Sequence, residues 1–151
     1  MFYLTALIAI ATALMVVLCR RPVHALVYLV VSMLATAMLF FLLGAHLAAA
    51  LEVIVYAGAI MMLFAFVIMI LGGQQESIDK KALLGPSGCT AVLLAQLLYV
   101  LSGTTGTVSA VEPQEVSLSL FGPYALGVEL AAFLLFAGLV GAYHVGREEK
   151  A

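Results

Sequence analysis

The chain has very little charge, and this scarcity decides its class. Of its 151 residues, 66% are hydrophobic and only 9% are charged, and tryptophan is absent. A soluble domain of this length needs far more charge to cover its surface. The net charge of −2 provides no polybasic patch, which excludes a nucleic-acid partner. The composition therefore predicts an integral membrane protein whose solvent is the lipid bilayer.

Long apolar stretches divide the sequence into five predicted transmembrane helices. Helix is required because a span in lipid must satisfy its own backbone hydrogen bonds. The polar stretch 102–120, which contains Glu112, Pro113 and Glu115, is predicted as a loop. The chain is predicted as a single all-α membrane domain, 1–151, with spans near residues 2–19, 23–43, 47–71, 82–101 and 123–145. Breakers separate the first three spans and end the third: Arg20-Arg21-Pro22, Gly44 and the Gly-Gly-Gln-Gln stretch 72–75.

The basic residues predict the orientation of these spans. Lysines and arginines follow the first, third and fifth spans, and in a five-span chain these three segments share one side of the membrane. The opposite segments, around His46 and over 102–120, contain no lysine or arginine. The positive-inside rule then places the N-terminus outside and the C-terminus in the cytoplasm.

Cysteine and histidine are too few for a metal or redox centre. Cys19 and Cys89 cannot hold an iron–sulfur cluster, and a disulfide is not expected near the cytoplasmic side. Both are interpreted as small buried apolar residues. His24, His46 and His144 lie near predicted membrane edges, where polar contacts explain them better than haem ligation. No phosphate loop, catalytic triad or zinc spacing is present.

Two carboxylates lie inside predicted spans. Glu52 falls about five residues into the third helix and Glu129 about six into the fifth, because both follow the polar outer segments closely. An ionisable group in the membrane costs about 2.5–3.5 kcal/mol at the helix centre and often marks an ion path. The alternative is structural: the carboxylate reaches the outer interface or pairs with a neighbouring subunit. Both interpretations stay open.

Small residues follow one turn beyond Glu52. Tyr56 shares its helical face and precedes Ala57-Gly58-Ala59. These small residues indicate either a packing notch for another helix or a place where the backbone can leave α-helical geometry. Similar small residues in the fifth span, such as Gly138 and Ala142, indicate that the chain is part of a larger helical assembly.

The third span carries a recognisable motif. Its sequence LEVIVYAGAIMMLF, from Leu51 to Phe64, resembles the third helix of subunit J of bacterial respiratory complex I. Arg21 stands where relatives often have asparagine or another polar residue, and Glu52 is a glutamine in some branches of the family. The resemblance covers the first 71 residues and about the last 30, through PVHAL from Pro22, FFLLGA from Phe40, FGPY from Phe121, ELA from Glu129 and HVGREE from His144.

The resemblance implies a subunit in the membrane arm of a proton-pumping NADH:quinone oxidoreductase of the bacterial inner membrane. Its expected neighbours are subunits A, H, K and N. NADH, FMN, the iron–sulfur clusters and quinone are expected in other subunits, with no catalytic or metal site in this chain. The third helix is expected to contain a π-bulge near Tyr56 and Gly58, whose conversion to α-helix opens or closes a hydrated proton path. The candidate path or gating residues are Glu52, Tyr56, Gly58, Met62 and Glu129.

Two alternative functions remain from the sequence. One is a homologous subunit of a membrane-bound hydrogenase or cation-antiporter complex. The other is a small stand-alone transporter or structural membrane protein, against which the third-span motif argues. The complex with which the chain co-purifies, and whether that complex oxidises NADH, would separate them.

Overall fold

The computed structural model describes residues 1–19, 21–71, 80–103 and 111–147. Within these ranges every regular element is helical, which confirms the predicted all-α class for the described residues. The chain divides into two units, Met1–Val111 and Glu112–Ala151. The first unit contains α1 (Phe2–Leu18), α2 (Pro22–Leu42), α3 (His46–Leu51), a π-helical segment (Glu52–Ile60), α4 (Met61–Ile70) and α5 (Lys80–Leu101), and the second contains α6 (Pro113–Phe121) and α7 (Ala125–Gly146).

Four helical stretches are long and apolar enough to cross a membrane. They are Pro22–Leu42, His46–Ile70, Leu84–Leu101 and Ala125–Gly146, with lengths of 18 to 25 residues. The second of these stretches is continuous through α3, the π-helical segment and α4. α1 is also apolar but has only 17 residues.

α2 is the central helix of the first unit. It contacts α1, α3, the π-helical segment, α4 and α5. Pro22 occupies its first turn, as predicted, because proline lacks the N–H that would be unsatisfied there anyway. Ala35 is fully buried and forms a core with Val31 and with Leu93 of α5. Ile8 of α1 packs against the same core, so three helices meet at the middle of α2.

The turn between α2 and α3 is the one predicted at Gly44. Its φ of 81° lies in the left-handed region, which glycine adopts without steric cost. Phe40 O accepts a hydrogen bond from the Ala45 amide at 3.0 Å and closes the turn. The breakers predicted at Arg20 and at 72–75 lie outside the described residues, although the third span ends at Ile70, close to the latter.

The predicted loop over 102–120 is wrong from Pro113 onward. Residues Pro113–Phe121 form α6, with proline in the first turn and Glu115 where its charge favours the helix N-terminus. The serine content of this stretch suggested a loop, but its helix start signal is the stronger one. Gly122 follows the end of α6. Glycine fits this position because the Cβ of any other residue would lie 2.7 Å from Leu118 O.

Candidate functional site

The third span departs from α-helical hydrogen bonding over Glu52–Ile60. At its end the Met61 amide donates to Tyr56 O, five residues back, as well as to Gly58 O. At its start the Glu52 amide still donates to Ala48 O and Ala49 O. A bond to the carbonyl five residues back is the π-helical pattern. This pattern is rare in proteins, but where it occurs it often lies at a functional site. The π-bulge implied near Tyr56 and Gly58 is therefore present.

The local sequence explains why this segment leaves the α-helical pattern. Val53, Ile54 and Val55 are consecutive β-branched residues, and these crowd the preceding turn of an α-helix. Gly58 follows and lowers the stability of a regular helix further. A wider turn relieves the crowding while it keeps the backbone hydrogen-bonded, which lipid requires.

The third span is anchored to the bundle at two points, one on each side of the π-helical segment. Ala49 of α3 is buried, and Met61 at the start of α4 is only 4% exposed. No residue inside Glu52–Ile60 is buried within the chain. The segment with unusual hydrogen bonding thus contacts α2 but has no buried residue of its own between Ala49 and Met61.

Two groups that can exchange protons lie on this segment. The Glu52 side chain is half-buried and Tyr56, one turn later, is 44% exposed. Among the described residues, none donates a hydrogen bond to the Glu52 carboxylate or accepts one from the Tyr56 hydroxyl. Both groups are therefore available to water or to a neighbouring chain.

Gly58 is not a packing notch within the described part of this chain. A Cβ built there meets only Val53 O, at 3.4 Å, and this atom belongs to the same helix. A separation of 3.4 Å is ordinary van der Waals contact, so alanine would fit the π-helical form. Within the described residues, no other helix lies against Gly58.

The remaining predicted residues lie in different surroundings. Met62 follows the buried Met61 but is 60% exposed. Glu52, Tyr56, Gly58 and Met62 therefore belong to one span, as predicted. Glu129 is exposed on α7, in the second unit.

A crevice of 410 Å³ lies in the first unit beside the start of the π-helical segment. Side chains of α2, α3 and α5 line it, together with Val53 of the π-helical segment, and almost all are apolar. His46 and Thr90 are its polar members, and the His46 ring packs edge-on against Phe41 at 4.7 Å between centroids. So few polar groups do not hold ordered water. The crevice instead provides free volume next to the segment.

The cysteines and the other histidines belong to other parts of the chain than this segment. Cys19 and Cys89 are both free and half-buried. His24 on α2 is buried, with no hydrogen-bond partner for its Nδ1 among the described residues. In the same residues no group of three or more histidine, cysteine, aspartate or glutamate side chains could hold a metal ion.

One polar residue was missed in the sequence. Gln96 lies in the apolar helix α5, is 5% exposed, and donates hydrogen bonds to the start of α1. A lone amide in an apolar span was the available signal, because such groups usually bond across helices. The sequence reading gave weight only to carboxylates and small residues.

These features define a multi-pass helical membrane protein with a π-helical segment in its third span. Residues 12–145 match the model of the family described as NADH-ubiquinone/plastoquinone oxidoreductase chain 6. NADH-quinone oxidoreductase subunit J of Escherichia coli (strain K12) is 48% identical, over 99% of this chain and 87% of the relative. The subunit J of Pseudomonas aeruginosa is also 48% identical, over 98% of this chain and 96% of the relative.

A more distant relative gives the same result. Subunit J of Buchnera aphidicola subsp. Schizaphis graminum is 39% identical, over 99% of this chain and 98% of the relative. The chain therefore belongs to the NADH-ubiquinone/plastoquinone oxidoreductase chain 6 family and is a bacterial subunit J homologue. Its apolar helices make it a multi-pass protein of the bacterial inner membrane.

Proposed function

We propose that this chain couples quinone reduction to proton translocation in the membrane arm of an NADH:quinone oxidoreductase, by conversion of its third span between π-helix and α-helix. The names of its relatives support the complex, and the π-helical segment supports the device. In this proposal the chain has no active site of its own. NADH, FMN, the iron–sulfur clusters and quinone bind to other subunits, and subunits A, H, K and N are its neighbours.

The observation that carries the proposal is the position of the π-helical segment between two buried anchors. Conversion of a π-helical turn to an α-helical turn rotates everything beyond it by about 100° for each residue of register. Ala49 is buried before the segment and Met61 is buried after it. If the helix stays in place at Ala49, this rotation brings a different side chain into the buried position that Met61 fills in the π-helical form. Ile60 and Met62 are the two candidates to replace it.

That exchange can open or close a water path without breaking the helix. A methionine that rotates out of the bundle exposes or covers the polar groups one turn away. Tyr56 is such a group, five residues before Met61; Glu52 lies a further turn toward the N-terminus, and both can bond water in one of the two states. Glu129 on α7, in the second unit, is a second candidate carboxylate for proton transfer.

The test of the conversion is a pair of substitutions at Gly58. Gly58→Ala fits the π-helical form, because its Cβ lies at ordinary contact distance from Val53 O. Gly58→Val adds two γ-methyl groups with one strongly preferred χ1 angle, which hinders the conversion. We expect the valine complex to assemble and to oxidise NADH with an artificial electron acceptor, while quinone-coupled proton pumping falls. The alanine complex should pump at a rate near that of the wild type.

The outcome that rejects the conversion is specific. If Gly58→Val assembles and pumps with normal rate and stoichiometry, the segment is a static feature of the fold. If both substitutions reduce assembly equally, Gly58 instead contacts a neighbouring subunit. Recovery of the chain in a complex that does not oxidise NADH would reject the membrane-arm assignment itself.

We also propose five spans, with α1 as the first, an outside N-terminus and a cytoplasmic C-terminus. The distribution of lysine and arginine supports this orientation. A membrane-impermeant thiol reagent should label a cysteine at Val111 only from the outside and one at Arg147 only from the inside. Both positions are exposed, and the background would lack Cys19 and Cys89. The reverse labelling pattern would reject the orientation.

A further inference from the structure

A buried amide joins the start of α1 to α5. Gln96 Nε2 donates to Met1 O at 2.9 Å and to Thr5 Oγ1 at 2.7 Å. The Gln96 side chain is 5% exposed and Thr5 is fully buried. We propose that Gln96 is an interhelical clamp that fixes the N-terminal helix to the bundle. This role is independent of proton coupling and concerns the assembly of the chain itself.

The acceptors of the clamp form a convergent group. Met1 O also accepts the Leu4 and Thr5 amides, both at 3.1 Å, and the Thr5 hydroxyl at 3.1 Å. The first turn of α1 is thus closed on the same carbonyl that Gln96 binds. Because of this geometry, release of the amide and fraying of the first turn are coupled.

α1 needs such a clamp because lipid provides no hydrophobic force between helices. Along its contact with α2, Ser32 Oγ donates a hydrogen bond to Ala9 O that is long, at 3.4 Å. Thr12 is buried too, but its hydroxyl bonds to Ile8 O in its own helix. The two bonds from Gln96 to the start of α1 are both shorter than the bond between Ser32 and Ala9.

The clamp also sets the rotation of α5. Leu93 lies three residues before Gln96, on the same helical face, and is the α5 residue of the buried core. Leu94 and Leu97 flank that face and line the crevice beside the π-helical segment. A fixed Gln96 therefore holds both the core face and the crevice wall of α5 in register.

The experiment measures amide hydrogen exchange at Leu4 and Thr5 in the assembled complex. Two interhelical bonds of average strength in a membrane correspond to about a sevenfold change in the local opening equilibrium. We expect Gln96→Leu to raise exchange at these amides by at most about this factor, because leucine also removes the buried Oε1 of Gln96, which has no hydrogen-bond partner among the described residues. Ser87→Ala is the matched control, because Ser87 is a polar residue of α5 that bonds only Leu84 O in its own helix.

A second substitution distinguishes the clamp from general packing. Thr5→Val leaves one amide hydrogen of Gln96 buried without an acceptor, whereas Gln96→Leu leaves the Thr5 hydroxyl bonded to Met1 O. We expect Thr5→Val to raise exchange more than Gln96→Leu does. Adding Gln96→Leu to Thr5→Val removes the unpaired amide and should lower exchange again toward the Gln96→Leu level, short of it by the lost bond from the Thr5 hydroxyl to Met1 O. Additive effects of the two substitutions, or no effect of Gln96→Leu, would overturn the clamp.

Cross-linking tests the proposal if a variant fails to assemble. In a background without Cys19 and Cys89, a short bifunctional thiol reagent should join cysteines at positions 5 and 96 faster than cysteines at positions 3 and 96. Tyr3 is 87% exposed and lies on another face of α1. Equal rates for the two pairs would show that α1 does not hold this register, and the clamp would be rejected.

Discussion

α2 and the third span are similarly apolar helices, but the chain holds them very differently. α2 is regular over 21 residues and contacts every other element of its unit. The third span covers 25 residues, includes a π-helical segment, and buries only Ala49 and Met61. The buried residues of α2 are six in number: His24, Val31, Ser32, Ala35, Ala37 and Met38.

The difference shows how one bundle can contain both a fixed and a movable helix. A helix packed on several sides has one good arrangement, because interiors are close-packed and respond to small changes in volume. A helix with no buried residue between its two buried points has less packing to break there when its winding changes. Hydropathy does not distinguish the two cases, since both helices must be apolar to lie in lipid.

The largest expected effect comes from extra volume at the centre of α2. Ala35→Leu places three additional carbons where Val31, Leu93 and Ile8 already close the core. Overpacking costs about 1–3 kcal/mol or more, which is enough to prevent assembly of a subunit held by few contacts. We expect little or none of the variant in the assembled complex, measured by immunoblot of the purified membrane arm.

The matched control is the same change in the π-helical segment. Ala59 is exposed within the chain, so Ala59→Leu should still assemble. Assembly of the Ala35 variant together with loss of the Ala59 variant would reverse the comparison. It would mean that the third span, and not α2, is the element whose packing is fixed.

A smaller effect should follow from the anchor after the π-helical segment. Met61→Ala removes most of a buried side chain, and we expect a cost at or below the low end of the range of about 2–5 kcal/mol seen in closed cores, because no other residue of α4 is buried. Met62→Ala, at an exposed neighbouring position, should cost much less. Thermal dissociation of the complex gives the measurement. Equal shifts for the two variants would show that Met61 is not an anchor.

The fold was predictable from sequence wherever lipid imposes it. The requirement for long apolar helices predicted α2 and the third span to within one residue at each end. α6 was missed because a nine-residue helix outside an apolar span is not required by lipid. The signals for its start are Pro113 and one acidic residue, Glu115, in its first turn. Composition alone could not separate that helix from a loop.

The site was predictable in part. Glu52 was found because a carboxylate is rare in an apolar span, but Tyr56 and Gly58 gained meaning only from the resemblance to a family. The clamp at Gln96 was not predictable from periodicity, since it joins residues 91 positions apart in the sequence. Which helices meet, and at what rotation, is a property of packing that the order of apolar residues leaves open.

The smallest expected effect is that of Glu52→Gln, and it tests how much of the third span's function depends on charge. Glu52 begins the π-helical segment and is half-buried. Glutamine keeps the size of the side chain and can still form hydrogen bonds, but it has no negative charge and cannot bind and release a proton. If the change in winding is the main device and Glu52 assists local hydration, the complex should assemble and its quinone-coupled pumping should fall by less than about tenfold. Glu115→Gln on α6, an exposed carboxylate outside the apolar spans, is the control.

Complete loss of pumping in an assembled complex would instead make Glu52 an obligatory proton carrier. Loss of assembly would assign the carboxylate to a contact with a neighbouring subunit, and the winding of the helix would then be tested by Gly58 alone.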